Sequence, residues 1–558
     1  MTVIIVLFFL FSYVVSLPNE KTITVAYDEQ RQIFQLTNHP VSNWAAKAAF
    51  NNNINQTGWA YLDIETNPAL DNDVQAYAAG LAEGQLTQEL ISLHWRNTAY
   101  TCPEPYTPFC QRLRNFLTQN LNWVKSQIDA HQNDQYWEQV KLFYMQTAGL
   151  QDGYFNNPKA PHMDIDIFGL YVFQIGGDME DLEPALNKPT STRVRGSGSC
   201  SALIKLLPGN KDLYVSQDTW DTYNSMLRIL KKYTFPYTVN GKNSDRVPGT
   251  TMTFSSYPGT LMSGDDFYQI DSGLVSLETT IGNSNADRWK YVQFQSVLEG
   301  IRSQVANRLA VTGEQWASTF SNFNSGTYNN EWLIVDYKLF ERGMNSLKPG
   351  TLTVLEQIPG LIVFRDTTSV LVQQGYFPSY NVAYFPEVFN ASGGPESVKK
   401  YGDWFSYDGT PRAKIFKRDH VKVGDLKSMQ KLMRYNDFQH DPLARCNCTP
   451  PYSGENGISA RCDLNPASGT YPFGALGHRA HGGTDMKLTS FELFNNGMSF
   501  IAILSPTYDQ QVPFQWSKTD FPVEEFPRFG HPDLFKFPTM FFNGSAPLNS
   551  YPIEVIAV

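Results

Sequence analysis

Apolar positions recur along this chain with two different periods. Ala60-Tyr61-Leu62-Asp63-Ile64-Glu65 alternates, the mark of a strand with one buried face. From Asp73 to Leu93 the period lengthens, with Val74, Tyr77, Leu81, Leu86, Leu90 and Ile91 at roughly helical spacing, which predicts helix. Tyr136 to Leu150 repeats that pattern, and Gly149, Gly153 and Asn156-Asn157-Pro158 are expected to end it. Residues 22–48 read as mixed strand and turn.

The pattern breaks at 182–199. Pro184, Lys188 to Thr192 and Arg193 to Ser199 are small or polar and predict a flexible, protease-accessible linker. Strand character then returns abruptly. Ser201 to Leu207 is an apolar run, Pro208-Gly209-Asn210 a turn, and Asp212 to Ser216 a second strand, together a hairpin. Asp218 or Thr219 is expected to cap a helix carrying Tyr223, Met226, Leu227 and Leu230. Further strands are predicted at 274–281, 331–337, 350–355 and 360–364, and helices at 288–310 and 424–435. The two element types interleave without a βαβ rhythm, so the fold class is layered α+β.

Composition sharpens this picture. The 558 residues are 42% hydrophobic and 18% charged, a globular balance. An aromatic content of 14% suits a large core and an apolar pocket. The net charge of -10 and the lack of a long basic run argue against a nucleic-acid partner. The apolar run Val3 to Phe11 is too short to span a bilayer comfortably and is followed by small residues to Ser16. Residues 1–16 therefore read as a signal peptide cleaved before Leu17. No later run spans a membrane, which predicts a secreted or lysosomal, lumenal protein. Sequons at Asn55, Asn390, Asn447 and Asn543 agree with glycosylation on that route.

Six cysteines remain to be placed. Cys102 and Cys110 flank a short loop and predict a disulfide. Among Cys446, Cys448 and Cys462 at most one pair can form, and Cys200 stands alone. The even count also permits a bond from Cys200 to the third member of that group. Zinc at the late cysteines is the alternative, but no second half-site accompanies them, so no metal and no cofactor are expected.

Cys200 lies where the linker meets the first strand of a buried sheet. A thiol is a strong nucleophile once deprotonated, yet its ordinary pKa is near 8.5. Were the bond after Ser199 cut, the Cys200 α-amine would lie within reach of its own thiol as a base. The same thiol can attack the Ser199 carbonyl before the cut, in an N-to-S acyl shift. Gly196 to Ser199 are small enough for the tight turn this needs. That amine must have a lowered pKa, from burial or a nearby cation, to act in an acidic lumen. Other chemistries find less support. There is no G-x-S-x-G elbow, phosphate-binding loop or dinucleotide fingerprint. His478 and His481 lack the H-E-x-x-H pattern, and Asp265, Asp266 and Asp271 lack EF-hand spacing.

From Cys200 to Gly209 (CSALIKLLPG) the chain resembles the phospholipase B-like family. Leu277-Glu278-Thr279-Thr280, Gly326 to Asn330, Tyr401 to Phe405, Arg434 to Phe438, Ser459 to Pro466 and His481 to Asp485 extend the resemblance. The His481 segment and Pro513 to Ser517 look closest to its lysosomal branch. The resemblance implies an N-terminal nucleophile hydrolase, a four-layer αββα sandwich cut before Cys200 into fragments 17–199 and 200–558 that stay associated as one globular domain. It implies Cys200 as nucleophile, with Trp220, on the helix after the hairpin, and Thr280 or Thr279 in the substrate pocket, and Asn330 donating to an oxyanion. Family members usually carry His where this chain has Gln217, which cannot take a proton near neutrality. Arg228 and Asn329 are weaker candidates. The substrate implied is a lipid ester, a glycerophospholipid, or an acyl amide. The rival function is a non-catalytic lumenal lipid carrier on the same fold. Self-association into a homo-oligomer is left open.

Overall fold

A computed structural model of the protein describes residues 20–189, 198–241 and 244–544. The expected signal peptide and residues 190–197 of the expected linker lie outside the described residues. Four strands precede Cys200: β1 Lys21–Asp28, β2 Ile33–Thr37, β3 Trp44–Asn52 and β4 Trp59–Thr66. The hairpin follows as β5 Cys200–Leu206 and β6 Leu213–Thr222, then β7 Arg228–Thr234 and β8 Thr251–Ser256. Next come β9 Phe267–Ile270, β10 Leu274–Thr280, β11 Asn330–Asp336, β12 Leu352–Ile358 and β13 Leu361–Asp366. The last are β14 Tyr376–Ser379, β15 His481–Ser490, β16 Phe500–Leu504, the short pair β17 Phe514–Gln515 and β18 Leu534–Phe535, and β19 Met540–Phe542.

Two large sheets result. One has eleven strands in the order β13-β12-β11-β10-β9-β8-β7-β4-β3-β1-β2, the other six in the order β14-β5-β6-β15-β16-β19. The β4–β7 pair is parallel and joins chain on the two sides of Cys200. One apolar cluster holds residues of both sheets, with Leu230, Leu277 and Leu333 from the larger and Ile204, Val215 and Ala502 from the smaller. The far face of the larger sheet packs on the helices Asn72–Leu86 and Gln135–Tyr154. The far face of the smaller packs on Pro411–Asp419 and Leu426–Met433. The protein is thus α+β, with helices against both sheets.

Four expectations need correction. Gly149 and Gly153 do not end their helix, which runs through Gln135–Tyr154. They let two helices touch through their backbones. A Cβ on Gly149 would lie 2.2 Å from the Tyr77 carbonyl oxygen, and one on Gly80 would lie 2.1 Å from that of Gln146. Gly149→Ala is therefore expected to lower stability by about 3 kcal/mol through overpacking. In an open helix the same change would raise it by up to about 1 kcal/mol. A denaturation midpoint no lower than that of the parent would contradict this.

The second correction concerns the helix predicted to start at Asp218 or Thr219. That stretch is strand, because β6 runs on to Thr222 and pairs with β15, more than 200 residues away in the chain. A partner so distant leaves no local signal, and tertiary pairing overrides the capping residues. Trp220 accordingly stands on a strand. Third, the run 73–93 is helical as expected, in two pieces, whereas helix fills only part of 288–310. The first breaks at Thr87, whose hydroxyl donates to the Glu83 carbonyl at 2.7 Å. The second is a 3-10 turn, Ala286–Tyr291, followed by the helix Glu299–Leu309. The start of the expected linker also differs, since Leu182 to Ala185 belong to the helix Gly176–Ala185.

The Cys102–Cys110 disulfide is present. Cys446 bonds Cys448, while Cys200 and Cys462 are both free and buried, so the alternative bond from Cys200 does not form. No helix among the described residues is long and apolar enough to cross a membrane. Asn55, Asn390 and Asn447 are exposed and Asn543 is half-buried.

Candidate functional site

Strand alternation sets the aim of Cys200. On β5, Ala202, Ile204 and Leu206 enter the core between the sheets, whereas Leu203 packs against the outer helices. Cys200 shares the parity of Ala202, so its side chain projects between the sheets. Ser201 faces the other way and donates its hydroxyl to the Ile458 carbonyl at 2.8 Å. Across the hairpin Cys200 is in register with Thr219. A cavity of about 500 Å³ lies here, walled in part by Cys200, Thr219, Trp220, Thr280, Tyr328 and His481.

The backbone entering Cys200 is gripped one peptide group at a time. The Trp220 N–H donates to the Ser199 carbonyl at 2.5 Å. The Ser199 N–H donates to Asn381 Oδ1 at 3.2 Å. Arg412 Nη1 donates to the Cys200 carbonyl at 2.6 Å, and its Nη2 to Asn381 Oδ1 at 2.7 Å. The same guanidinium lies over the Trp220 ring, 4.2 Å from its centre. Burial brings the Arg412 pKa down to about 10. Gly198 threads a slot so narrow that a Cβ there would lie 2.8 Å from Arg412 Nη2 and from the Trp220 ring.

In this uncut chain, burial pushes the Cys200 thiol well above its usual pKa, and Glu278 adds to that. The Glu278 carboxyl is itself pushed well up by burial and by the neighbouring Asp266. The Lys487 ammonium acts in the opposite sense on the thiol. Lys487 is fully buried and donates to Thr219 Oγ1 at 2.5 Å, Asp485 at 2.7 Å and Asp265 at 2.9 Å. Arg228 bonds both of those carboxylates, completing a neutral group of two cations and two anions beneath the cavity. Burial alone would raise Asp265, but Arg228 and Lys487 hold it well below the usual carboxylate range. This ion network accounts for Arg228 and leaves Asp265 no role as a calcium ligand.

Cys200, Ser199, Trp220 and Thr280 meet at the cavity wall. Gln217 does not. It is fully buried, and its amide nitrogen donates to the carbonyls of Asp265 and Asp266, which lead into β9, and of Glu278 on β10 of the larger sheet. The position pins the two sheets together rather than facing the cavity. Asn330 is opposite Thr280 in the β10–β11 register but is absent from the wall, with no hydrogen bond to its side chain among the described residues. Asn329 holds Asp181 at 2.9 Å. The polar groups actually at the Ser199–Cys200 junction are Asn381 and Arg412. Asn381 follows β14 in a left-handed turn, φ 68°, and Arg412 begins a helix. Neither forms a motif with Cys200 in sequence, and only a Tyr-Asn turn and a Thr-Pro helix start hint at their positions.

His478 and His481 separate. His478 bonds Asp520 at 2.8 Å, whereas His481 is buried on the cavity wall and neutral, its pKa well below the usual value through burial, Arg479 and Arg412. Glu455, Cys462 and His481 bring their ligand atoms within 4.8 Å of one another. Arg479 Nη2 lies 3.0 Å from Glu455 and 3.6 Å from Cys462, so a guanidinium already supplies the positive charge at this cluster.

Cys200 thus heads a strand and is preceded by a carbonyl that accepts a short N–H bond. Comparison with known proteins finds the following likenesses. The family model described as Phospholipase B matches residues 46–542. The Bos taurus protein named "Putative phospholipase B-like 2" is 52% identical over 500 residues, covering 88% of this chain and 84% of that one. The Caenorhabditis elegans protein named "Putative phospholipase B-like 1" is 44% identical over 502 residues, covering 88% and 86%. "Phospholipase B-like protein B" of Dictyostelium discoideum is 38% identical over 504 residues, covering 88% and 84%.

Proposed function

The chain belongs to the phospholipase B family, and on that premise we propose that it is a lumenal acyl hydrolase of the N-terminal nucleophile type that matures by cutting itself between Ser199 and Cys200. The observation that carries the proposal is the Trp220 N–H at 2.5 Å from the Ser199 carbonyl oxygen, beside a thiol at the wall of the cavity. In the first step Cys200 Sγ bonds to the Ser199 carbonyl carbon. The Trp220 N–H steadies the oxyanion. The C–N bond then breaks, and the thiol proton ends on the departing nitrogen. Water hydrolyses the resulting thioester, leaving a Ser199 carboxylate and a free Cys200 amine and thiol.

In turnover that amine takes the thiol proton, and Sγ attacks the carbonyl of an acyl ester or amide. The protonated amine returns its proton to the leaving alcohol or amine, and water releases the fatty acid. The base must be neutral in an acidic lumen. Burial of Cys200, the Arg412 guanidinium on its carbonyl and the Lys487 ammonium all favour a neutral amine. The sealed Gln217 leaves the α-amine as the base in this chain. Asn381 and Arg412 hold the Ser199 N–H and the Cys200 carbonyl, while the Trp220 N–H takes the oxyanion role expected of Asn330. The apolar core between the sheets, with helices outside both, supports the αββα sandwich. The β4–β7 pairing supports fragments 17–199 and 200–558 staying together.

The matured protein, incubated with mixed phospholipid vesicles at acidic pH, is expected to release free fatty acid, read by mass spectrometry. Cys200→Ser should release none above background. No release, together with no labelling of Cys200 by a thiol-reactive acyl analogue, would replace the enzyme with a lipid carrier.

A further inference from the structure

Gly198, Ser199 and Cys200 each engage a polar side chain through the backbone, and one of those side chains is a carboxylate brought from the far end of the chain. Glu455 Oε1 accepts the Gly198 N–H at 3.2 Å. Its other oxygen accepts the Cys462 thiol proton at 2.9 Å and the Arg479 Nη2 proton at 3.0 Å. Glu455 is 2% exposed, so holding it there carries a desolvation cost that the fold must offset with hydrogen bonds.

The loop around Glu455 is neither helix nor strand, yet its backbone is braced. Asn436 Nδ2 donates to the carbonyls of Gly454 and Ser459 at 2.9 and 2.7 Å, and the Gly454 N–H donates to Asn465 Oδ1 at 2.8 Å. A Cβ on Gly454 would lie 2.2 Å from the Arg461 carbonyl oxygen, so the loop backs directly onto its own returning backbone. The carboxylate is therefore presented from a fixed base. Its aim is set by the two donors behind it. Burial and the neighbouring carboxylate push the Cys462 thiol well above its usual pKa, which makes it a neutral S–H donor rather than a second nucleophile.

We propose that Glu455 is a positioning residue for the cut before Cys200, and that Cys462 and Arg479 orient its carboxylate so that the Gly198 N–H sets the Ser199 carbonyl against the Trp220 N–H. The inference rests on the self-cleavage reading and deepens it. Glu455 touches neither reacting atom. It acts through Gly198, one residue before the carbonyl that is attacked. A carboxylate suits the task because both of its oxygens only accept. An amide at this position would turn N–H donors toward either Gly198 or the Cys462–Arg479 pair, and one side would lose its bond.

The test follows the full-length protein by pulse-chase in secreting cells, with processing read as conversion to the two fragments. Glu455→Gln is expected to slow conversion by about 100-fold, the scale of a misplaced reacting group. Cys462→Ala, which removes one donor, should slow it by about 10-fold, and Cys462→Ser, which keeps a hydroxyl donor, should restore most of the rate. Hydroxylamine cleaves a thioester, so it should not release fragments from accumulated Glu455→Gln precursor, where the shift itself is held back. The serine rescue separates positioning from folding should Glu455→Gln be retained unfolded. Glu455→Gln and Cys462→Ala converting at the parental rate, while Cys200→Ala stays uncut, would overturn the inference. Equal slowing by Cys462→Ala and Cys462→Ser would also overturn it. A parent that never cuts, or a Cys200→Ala chain that does, would instead remove the reading beneath it.

Discussion

Cys200→Ala is expected to leave a single chain of full mature length, with the Ser199–Cys200 bond intact and the fold retained. Alanine removes only the sulfur, and the strand pairing of position 200 with Thr219 runs through the backbone. The grips on the Ser199 and Cys200 carbonyls come from Trp220 and Arg412 and do not need the thiol. The carbonyl would thus remain polarised with nothing to attack it. Cys200→Ser should cut slowly, because a hydroxyl is a poorer nucleophile than a thiol at the same site. The loss for alanine is complete rather than fractional, since an uncatalysed amide bond survives far beyond the lifetime of the protein. Gel mobility under reducing conditions reads the result. An alanine variant that still separates into two fragments ending and starting at this junction would assign the cut to an outside protease.

The second large effect is in stability, which is expected to be greater near pH 5 than near pH 8. Several buried carboxyls face too little positive charge to ionise readily. Burial, partly offset by a hydrogen bond from Thr327, raises Asp178 to about 6. Burial and the neighbouring Asp265 raise Asp266 to about 8. Glu331 and Glu356 stand directly opposite each other on β11 and β12, and burial lifts Glu356 to about 7 and Glu331 well above its usual value. Each of these binds its proton more tightly in the folded chain than unfolded, where the pKa is near 4. The stability they contribute is fully present below about pH 4 and is lost as pH rises through about 6 to 8. The rise of Asp178 to about 6 alone corresponds to about 3 kcal/mol. Asp265 has the opposite sign, being held low by Arg228 and Lys487, so its contribution is lost as pH falls below about 4. The maximum should therefore fall at about pH 4, with stability still higher at pH 5 than at pH 8. Thermal unfolding at pH 5 and pH 8 checks this, with a midpoint several degrees higher at pH 5. A higher midpoint at pH 8 would contradict it. Glu331→Gln should remove part of the difference.

The parts of this architecture legible in sequence are those with local signals. The β5–β6 hairpin announced itself through an apolar run, Pro208-Gly209-Asn210 and a second run. The alternation at Ala60 to Glu65, the strand at Leu274 to Thr280 and the Cys102–Cys110 loop were equally local. What failed depended on distant partners. The continuation of β6 is imposed by β15, and Gly149 is explained by Tyr77 on another helix rather than by its neighbours in sequence. The junction shows the same divide. An isolated cysteine between a polar segment and a strand could be read directly, and family motifs strengthened it. Asn381, Arg412 and Glu455 reach that cysteine from segments roughly 180 to 260 residues later, across folds of chain that no spacing rule encodes. Asn330 and Gln217 were suggested by motifs, but burial and pairing keep both away from the cavity.

N-terminal sequencing of the purified, matured protein, joined to the intact masses of its chains, tests the central claim most directly. The account predicts two chains, one of them beginning Cys-Ser-Ala-Leu-Ile with a free α-amine at Cys200. A single uncut chain, or a second N-terminus at any other residue, would contradict it.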